Sequence, residues 1–217
     1  MNNLATKALI LFSVIAVTPS NAKEEKETVT AMDPDEMIEN VEIFYDAITK
    51  DKENTYKNLK DMYEFGAMLE SRHLRSESVM RLVAKLYELS ASMIPAAALR
   101  LGWLYDYSYV PGDEERNKII ALHWYKQSAN AGHIVGLYNW AVASLEYEQM
   151  LRSQGLQLAE SPILLNGDSA CETILRLYEG RLLQDVPETD KDVYSLIQFY
   201  SRQEVRRHFC AFPTEYE

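Results

Sequence analysis

Few side chains in this chain offer nucleophile or metal chemistry, and their spacing does not gather them. His73, His123, His133 and His208 do not fall three or four residues from one another or beside Cys171 or Cys210, so no helical turn assembles a metal-ligand set. There is no Gly-x-Ser-x-Gly elbow, no His-Glu-x-x-His, no phosphate loop and no dinucleotide fingerprint. A Ser-x-x-Lys occurs at Ser20-Asn21-Ala22-Lys23, but it straddles an expected cleavage point and is cut by it. The acid pairs Asp35-Glu36 and Glu114-Glu115 stand at expected helix starts, where the helix macrodipole accounts for them without acid catalysis. The expectation is a protein that is not an enzyme and uses no metal or cofactor.

The residues that remain are suited to binding. Fourteen tyrosines are many for this length, and Tyr105, Tyr107 and Tyr109 alternate towards a Pro-Gly-Asp turn that carries acids. Tyr105, Asp106, Tyr107, Tyr109, Asp113 and Glu114 form the candidate partner-binding set. In one reading, aromatic anchors supply affinity and carboxylates steer a basic partner. In the other, the rings pack between helices and the acids cap the helix that follows.

Elements must position these residues, and composition bounds what they build. The chain has 217 residues, 47% apolar and 25% charged, which suits a globular protein with a sizeable core. Its net charge is −11 and all 33 acids lie after Asn21. That balance argues against nucleic acid and against an anionic membrane surface, and allows a basic protein.

At the N-terminus, Lys7, an apolar stretch over 8–17 (ALILFSVIAV) and small residues before Ala22 read as a signal peptide over 1–22, cleaved after Ala22. A retained tethering helix is the alternative, although the apolar run is short for a bilayer. A periplasmic or secreted location follows from the leader. In such an oxidising compartment Cys171 and Cys210 form a disulfide or remain two separate buried thiols.

Residues 23–32 read as a flexible lead-in, and Asp33-Pro34-Asp35-Glu36 announces a helix. Its stripe is Met37, Val41, Phe44, Tyr45 and Ile48, and it ends near Lys50. Further helices are expected over 54–70, with Tyr56, Leu59, Met62, Tyr63 and Phe65-Gly66 inward, and over 76–92. A hairpin follows over 95–107 and 115–131, closed by Gly132, then a helix over 134–152 bearing Leu137, Trp140, Ala141 and Leu145. After Ser153 the pattern loosens into a long loop or a short irregular helix. Gly167-Asp168-Ser169 caps a helix through Leu183, and Pro187-Glu188-Thr189-Asp190 caps a last one with Val193, Leu196, Ile197 and Tyr200 on one face. No strand is expected, and the tail 211–217 reads as loosely held. The divisions are a helical repeat domain over 33–153 and a divergent C-terminal helical region over 154–217.

The chain also repeats itself. Leu86-Tyr87-x-x-Ser90-Ala91 recurs as Trp124-Tyr125-x-x-Ser128-Ala129, and Gly66 recurs as Gly102, an offset of roughly 36 to 38 residues that indicates stacked helix pairs. A decayed third start lies at Gly136-Leu137-Tyr138-Asn139-Trp140-Ala141. Gly at a crossing lets backbones approach, and Trp124 and Tyr125 are expected to fill the space between pairs. At Ala97, Leu101-Gly102, Tyr105, Gly112, Ala121, Trp124-Tyr125, Ala129 and Gly132 the chain resembles the Sel-one-like repeat, a relative of the tetratricopeptide repeat. It departs from that pattern at the turn, where Tyr109-Val110-Pro111-Gly112 replaces Gly-x-Gly-Val. The resemblance implies an all-α solenoid of helical hairpins, with first helices lining a concave side, that binds another protein. Among exported members it allows an immunity protein that blocks a basic, envelope-targeted effector or toxin, and equally a regulator or scaffold. An envelope hydrolase with a scattered site is the rival from another class.

Overall fold

The computed structural model describes residues 34–49, 55–73, 76–154, 164–165, 168–180, 191–208 and 210. Among them the chain is all-helical apart from one short ladder. The helices are α1 (Pro34–Thr49), α2 (Thr55–His73), α3 (Glu77–Ser90), α4 (Pro95–Asp106), α5 (Glu114–Asn130), α6 (Ile134–Ser153), α7 (Ala170–Tyr178) and α8 (Lys191–Arg207). The leader, the lead-in, the Asp33 cap, the cap over 187–190 and the tail lie outside the described residues. Packing divides the chain into two bodies between Ser90 and Ala91.

In the first body α3 packs along α2 and receives α1. Leu59, Met62 and Leu69 of α2 and Met80, Val83, Leu86 and Tyr87 of α3 are buried, each large apolar side chain contributing about 1.5–3 kcal/mol by leaving water. Tyr56, expected on the inner side of α2, is instead 55% exposed. The buried row of α2 begins at Leu59.

In the second body α4 and α5 form a hairpin, α6 packs on α5, and α7 and α8 pack on α6 and on each other. One core joins them: Ala121 and Tyr125 of α5, Trp140, Ala141 and Leu145 of α6, Ile174 and Leu177 of α7, Ile197 and Val205 of α8. Helix starts follow local chemistry. Pro95 sits in the first turn of α4. The Asp113 carboxylate accepts from the Arg116 amide at 3.0 Å. Ser169 and Glu172 form a reciprocal capping box at α7.

Four expectations are corrected. An antiparallel ladder pairs Leu164–Leu165 with Asp168–Ser169, too short to leave an alternating sequence signal. Helix α7 ends at Tyr178 rather than Leu183, because Gly180 turns left-handed at φ 71° and its amide donates to the Leu177 carbonyl. On α8 the buried row is Ile197, Ser201 and Val205, while Val193, Leu196 and Tyr200 face solvent. At the expected Trp124-Tyr125 filling, Tyr125 is 1% exposed and in the core. Trp124 is only half-buried and lies edge-on to His123. Cys171 and Cys210 stand at disulfide distance, with S–S 2.06 Å and Cα–Cα 5.4 Å, tying the start of α7 to the chain just beyond the end of α8.

The same contact is built twice, once in each body. A Cβ placed on Gly66 would lie 2.9 Å from Tyr87 Cε1, and one on Gly102 2.6 Å from Tyr125 Cδ1. In each pair the tyrosine of the second helix therefore lies against bare backbone of the first. One helical turn after each glycine stands a carboxylate that accepts from that tyrosine: Tyr87 donates to Glu70 at 2.5 Å, and Tyr125 to Asp106 at 3.2 Å.

Candidate functional site

The aromatic turn is shaped by the way α4 stops. Tyr107 closes the helix, and Ser108 takes the left-handed conformation at φ 55°. The Tyr109 amide then reaches back to the Leu104 carbonyl at 2.9 Å and the Ser108 amide to Tyr105 at 3.0 Å, a Schellman ending. Helix α5 ends in the same pattern with Gly132 at φ 83°, its amide donating to Ala129 and that of His133 to Ser128. At the first of these ends a serine therefore does what glycine does more cheaply at the second.

This turn folds Tyr109 back onto the last turn of α4. Its ring stacks on Trp103 with centroids 4.8 Å apart, and Tyr107 leans on the same indole at 5.4 Å. Tyr107 remains 63% exposed, while Trp103 and Tyr109 are half-buried. The segment after the rings is pinned from inside, where the buried Asn117 side chain donates to the Val110 carbonyl at 3.1 Å. Asp113, Glu114 and Glu115 follow as exposed carboxylates, with Arg116 beside them.

Beneath the rings the charge is spent internally. Asp106 accepts from Lys118 Nζ at 2.9 Å as well as from Tyr125, and its side chain is 14% exposed. Burial, then the neighbouring Asp106 charge and hydrogen bond, push the Tyr125 hydroxyl far above its ordinary value. For Lys118, burial pulls its ammonium down, but the Asp106 hydrogen bond and charge outweigh that and leave it raised. Tyr125 therefore keeps its proton and Lys118 its charge across neutral pH, and through their bonds to Asp106 they latch α4 to α5.

The six residues expected to bind a partner therefore separate. Tyr107, Tyr109, Asp113 and Glu114 come together at the turn. Tyr105 is partly buried against the core, and Asp106 belongs to the latch, so neither offers a free surface. Asp113 also caps α5. Sequence reasoning passed over Trp103, the ring that organises the other two. Its signal was its spacing, one helical turn before Tyr107.

Among the described residues no group of three His, Cys, Asp or Glu side chains is arranged to hold a metal ion. None of the described helices is long and apolar enough to cross a membrane. Comparison of the chain with protein-family models, with curated proteins and with solved structures finds no match.

Proposed function

We propose that this chain is an exported helical repeat protein whose work is to bind another protein, and that the partner is a basic one. The observation that carries this reading is the turn after α4. A largely exposed Tyr107 and a stacked Trp103–Tyr109 pair stand at a turn that also carries three exposed carboxylates. Preorganised aromatic rings give contact area at little entropic cost, and adjacent carboxylates raise the encounter rate with a cation-rich surface. The Gly–Tyr–carboxylate contact built in both bodies supports the Sel-one-like resemblance and, with it, a repeat solenoid. The cysteine pair at disulfide distance is compatible with an oxidising compartment. Within this class we favour an immunity role, in which an acidic cover neutralises a basic envelope-targeted effector.

The test is capture from the envelope fraction by the tagged mature protein. Tyr107→Ala weakens capture by roughly tenfold or more while the melting temperature stays near that of the parent. Glu114→Lys with Glu115→Lys slows association and flattens its salt dependence. Asp113 is spared because its loss also removes a helix cap. Both variants binding like the parent would remove the turn from consideration. Intact mass of the exported protein checks the leader, with a chain beginning at Lys23 expected and one retaining Met1 counting against it.

A further inference from the structure

Helix α8 turns an unusual face to solvent. Val193, Leu196, Phe199 and Tyr200 are all exposed, Leu196 at 53% and Phe199 at 59%. They fall within two helical turns on a stripe beside the buried row of Ile197, Ser201 and Val205, and the Phe199 ring stands edge-on to Tyr200 at 5.5 Å. A cluster of large apolar side chains on a soluble surface marks an interaction site more often than chance exposure. The same helix then becomes basic, with Arg202, Arg206 and Arg207 all exposed. Arg207 already has carboxylates, Glu146 at 3.4 Å and Glu204 at 3.7 Å. This face thus combines aromatic anchors with cations on a chain whose net charge is −11.

Its complement is on the same chain. The turn after α4 combines aromatic rings with carboxylates, the inverse charge on the same kind of apolar surface. The two surfaces belong to different elements of one body, since α8 packs on α6 and α7 whereas the turn joins α4 to α5. We infer that the exposed face of α8 docks on the Trp103–Tyr107–Tyr109 turn of a second copy of this chain. Phe199 and Leu196 meet the rings, and Arg202 and Arg206 face Glu114 and Glu115. The contact joins two unlike surfaces, so it is head-to-tail and each added copy leaves one of each surface free. It rests on the turn surface proposed above, and it makes self-association a competitor that a basic partner must displace.

Sedimentation velocity of the purified chain over a concentration series tests this, with two variants built from exposed residues. One has the turn blocked (Tyr107→Ala with Glu114→Lys) and the other the helix blocked (Phe199→Ala with Arg206→Glu). The parent associates progressively with concentration and less at high salt. Each variant alone associates at least roughly tenfold more weakly, at an unchanged melting temperature. Mixed, the two form a one-to-one pair and nothing larger, because one good turn meets one good helix. A parent that stays monomeric overturns the inference, as does a turn-blocked variant that still dimerises, which would mean two α8 faces pairing. Binding of the monomeric parent to anionic vesicles, lost in the helix-blocked variant, also overturns it in favour of a lipid surface. The proposed partner binding is read separately: the helix-blocked variant keeps the turn intact, so its capture of a basic partner supports that reading whether or not the parent self-associates.

Discussion

Replacing Gly102 by Ala places a methyl carbon 2.6 Å from Cδ1, 2.7 Å from Cε1 and 3.1 Å from Cγ of Tyr125. In an ordinary helix interior that substitution stabilises by about 1 kcal/mol, because glycine has more backbone freedom to lose. Here the methyl meets a ring that is 1% exposed and tethered through its hydroxyl to Asp106, so it has little room to withdraw. Overpacking a close-packed site costs about 1–3 kcal/mol, and moving the ring weakens a hydrogen bond to a charged group worth about 1.5–3 kcal/mol. The net expectation is a loss of about 1–3 kcal/mol in urea unfolding followed by circular dichroism. Gly66→Ala meets Tyr87 only at 2.9 and 3.2 Å, so its cost is smaller and lies nearer to cancelling the propensity gain. A cycle pairing Gly102→Ala with Tyr125→Leu is expected to be non-additive by at least about 0.5 kcal/mol, since the smaller side chain vacates the space. If Gly102→Ala raises stability by the full helix-propensity increment, the close crossing of α4 and α5 is wrong.

Three further expectations rest on other contacts. Ser108→Gly keeps the left-handed turn but removes the cost of about 1–2 kcal/mol that an L-residue incurs there and adds an entropic cost of about 0.5–1 kcal/mol, so the midpoint in urea rises slightly. A fall would show that Ser108 contributes something its backbone angle does not reveal. Cys171→Ser with Cys210→Ser frees the unfolded chain across a sequence separation of 39 residues, a cost of about 4 kcal/mol on the chain-entropy view. Thiol titration of the unreduced parent should accordingly find no free sulfhydryl. Burial, with the nearby Glu204 charge, pushes the Tyr138 hydroxyl from near 10 up to about 12. The folded state holds this proton more tightly than the unfolded one, so its contribution is complete below pH 10 and is lost as pH rises from about 10 to about 12. Tyr138→Phe therefore makes stability fall less steeply over that window, and tyrosinate absorbance of the native parent should show a late-titrating group.

Much of the helical framework was legible from residues that act locally. Pro34, Pro95, Asp113 and Ser169 sit at helix starts because a fixed φ or a short side-chain acceptor meets amides that lack partners within the helix. Gly132 lies at a helix end because left-handed backbone is cheapest without a Cβ. The repeat of Gly66 and Tyr87 as Gly102 and Tyr125 pointed to close crossings, and both were found. Gly180 carried the same kind of signal for the end of α7, but Leu182, one turn after Tyr178, continued the apolar spacing and masked it.

What the sequence by itself determined, then, is where most helices begin and end, because capping, turn geometry and the 3.6-residue period are properties of neighbours along the chain. Which side of α8 is covered was decided only by tertiary structure. Helix α8 has apolar residues around much of its circumference, and its contact with α6 and α7 selected Ile197, Ser201 and Val205 over Val193, Leu196 and Tyr200. Trp124 and Tyr125 are adjacent and point in different directions, so only the approach of Gly102 settled which ring is buried. Asp106 and Glu114 are both simply acids in the sequence. Lys118 and Tyr125, a dozen and more residues away along the chain, made the first an internal latch and left the second at the surface, because a carboxylate's role depends on which cations and donors the fold brings within reach of it.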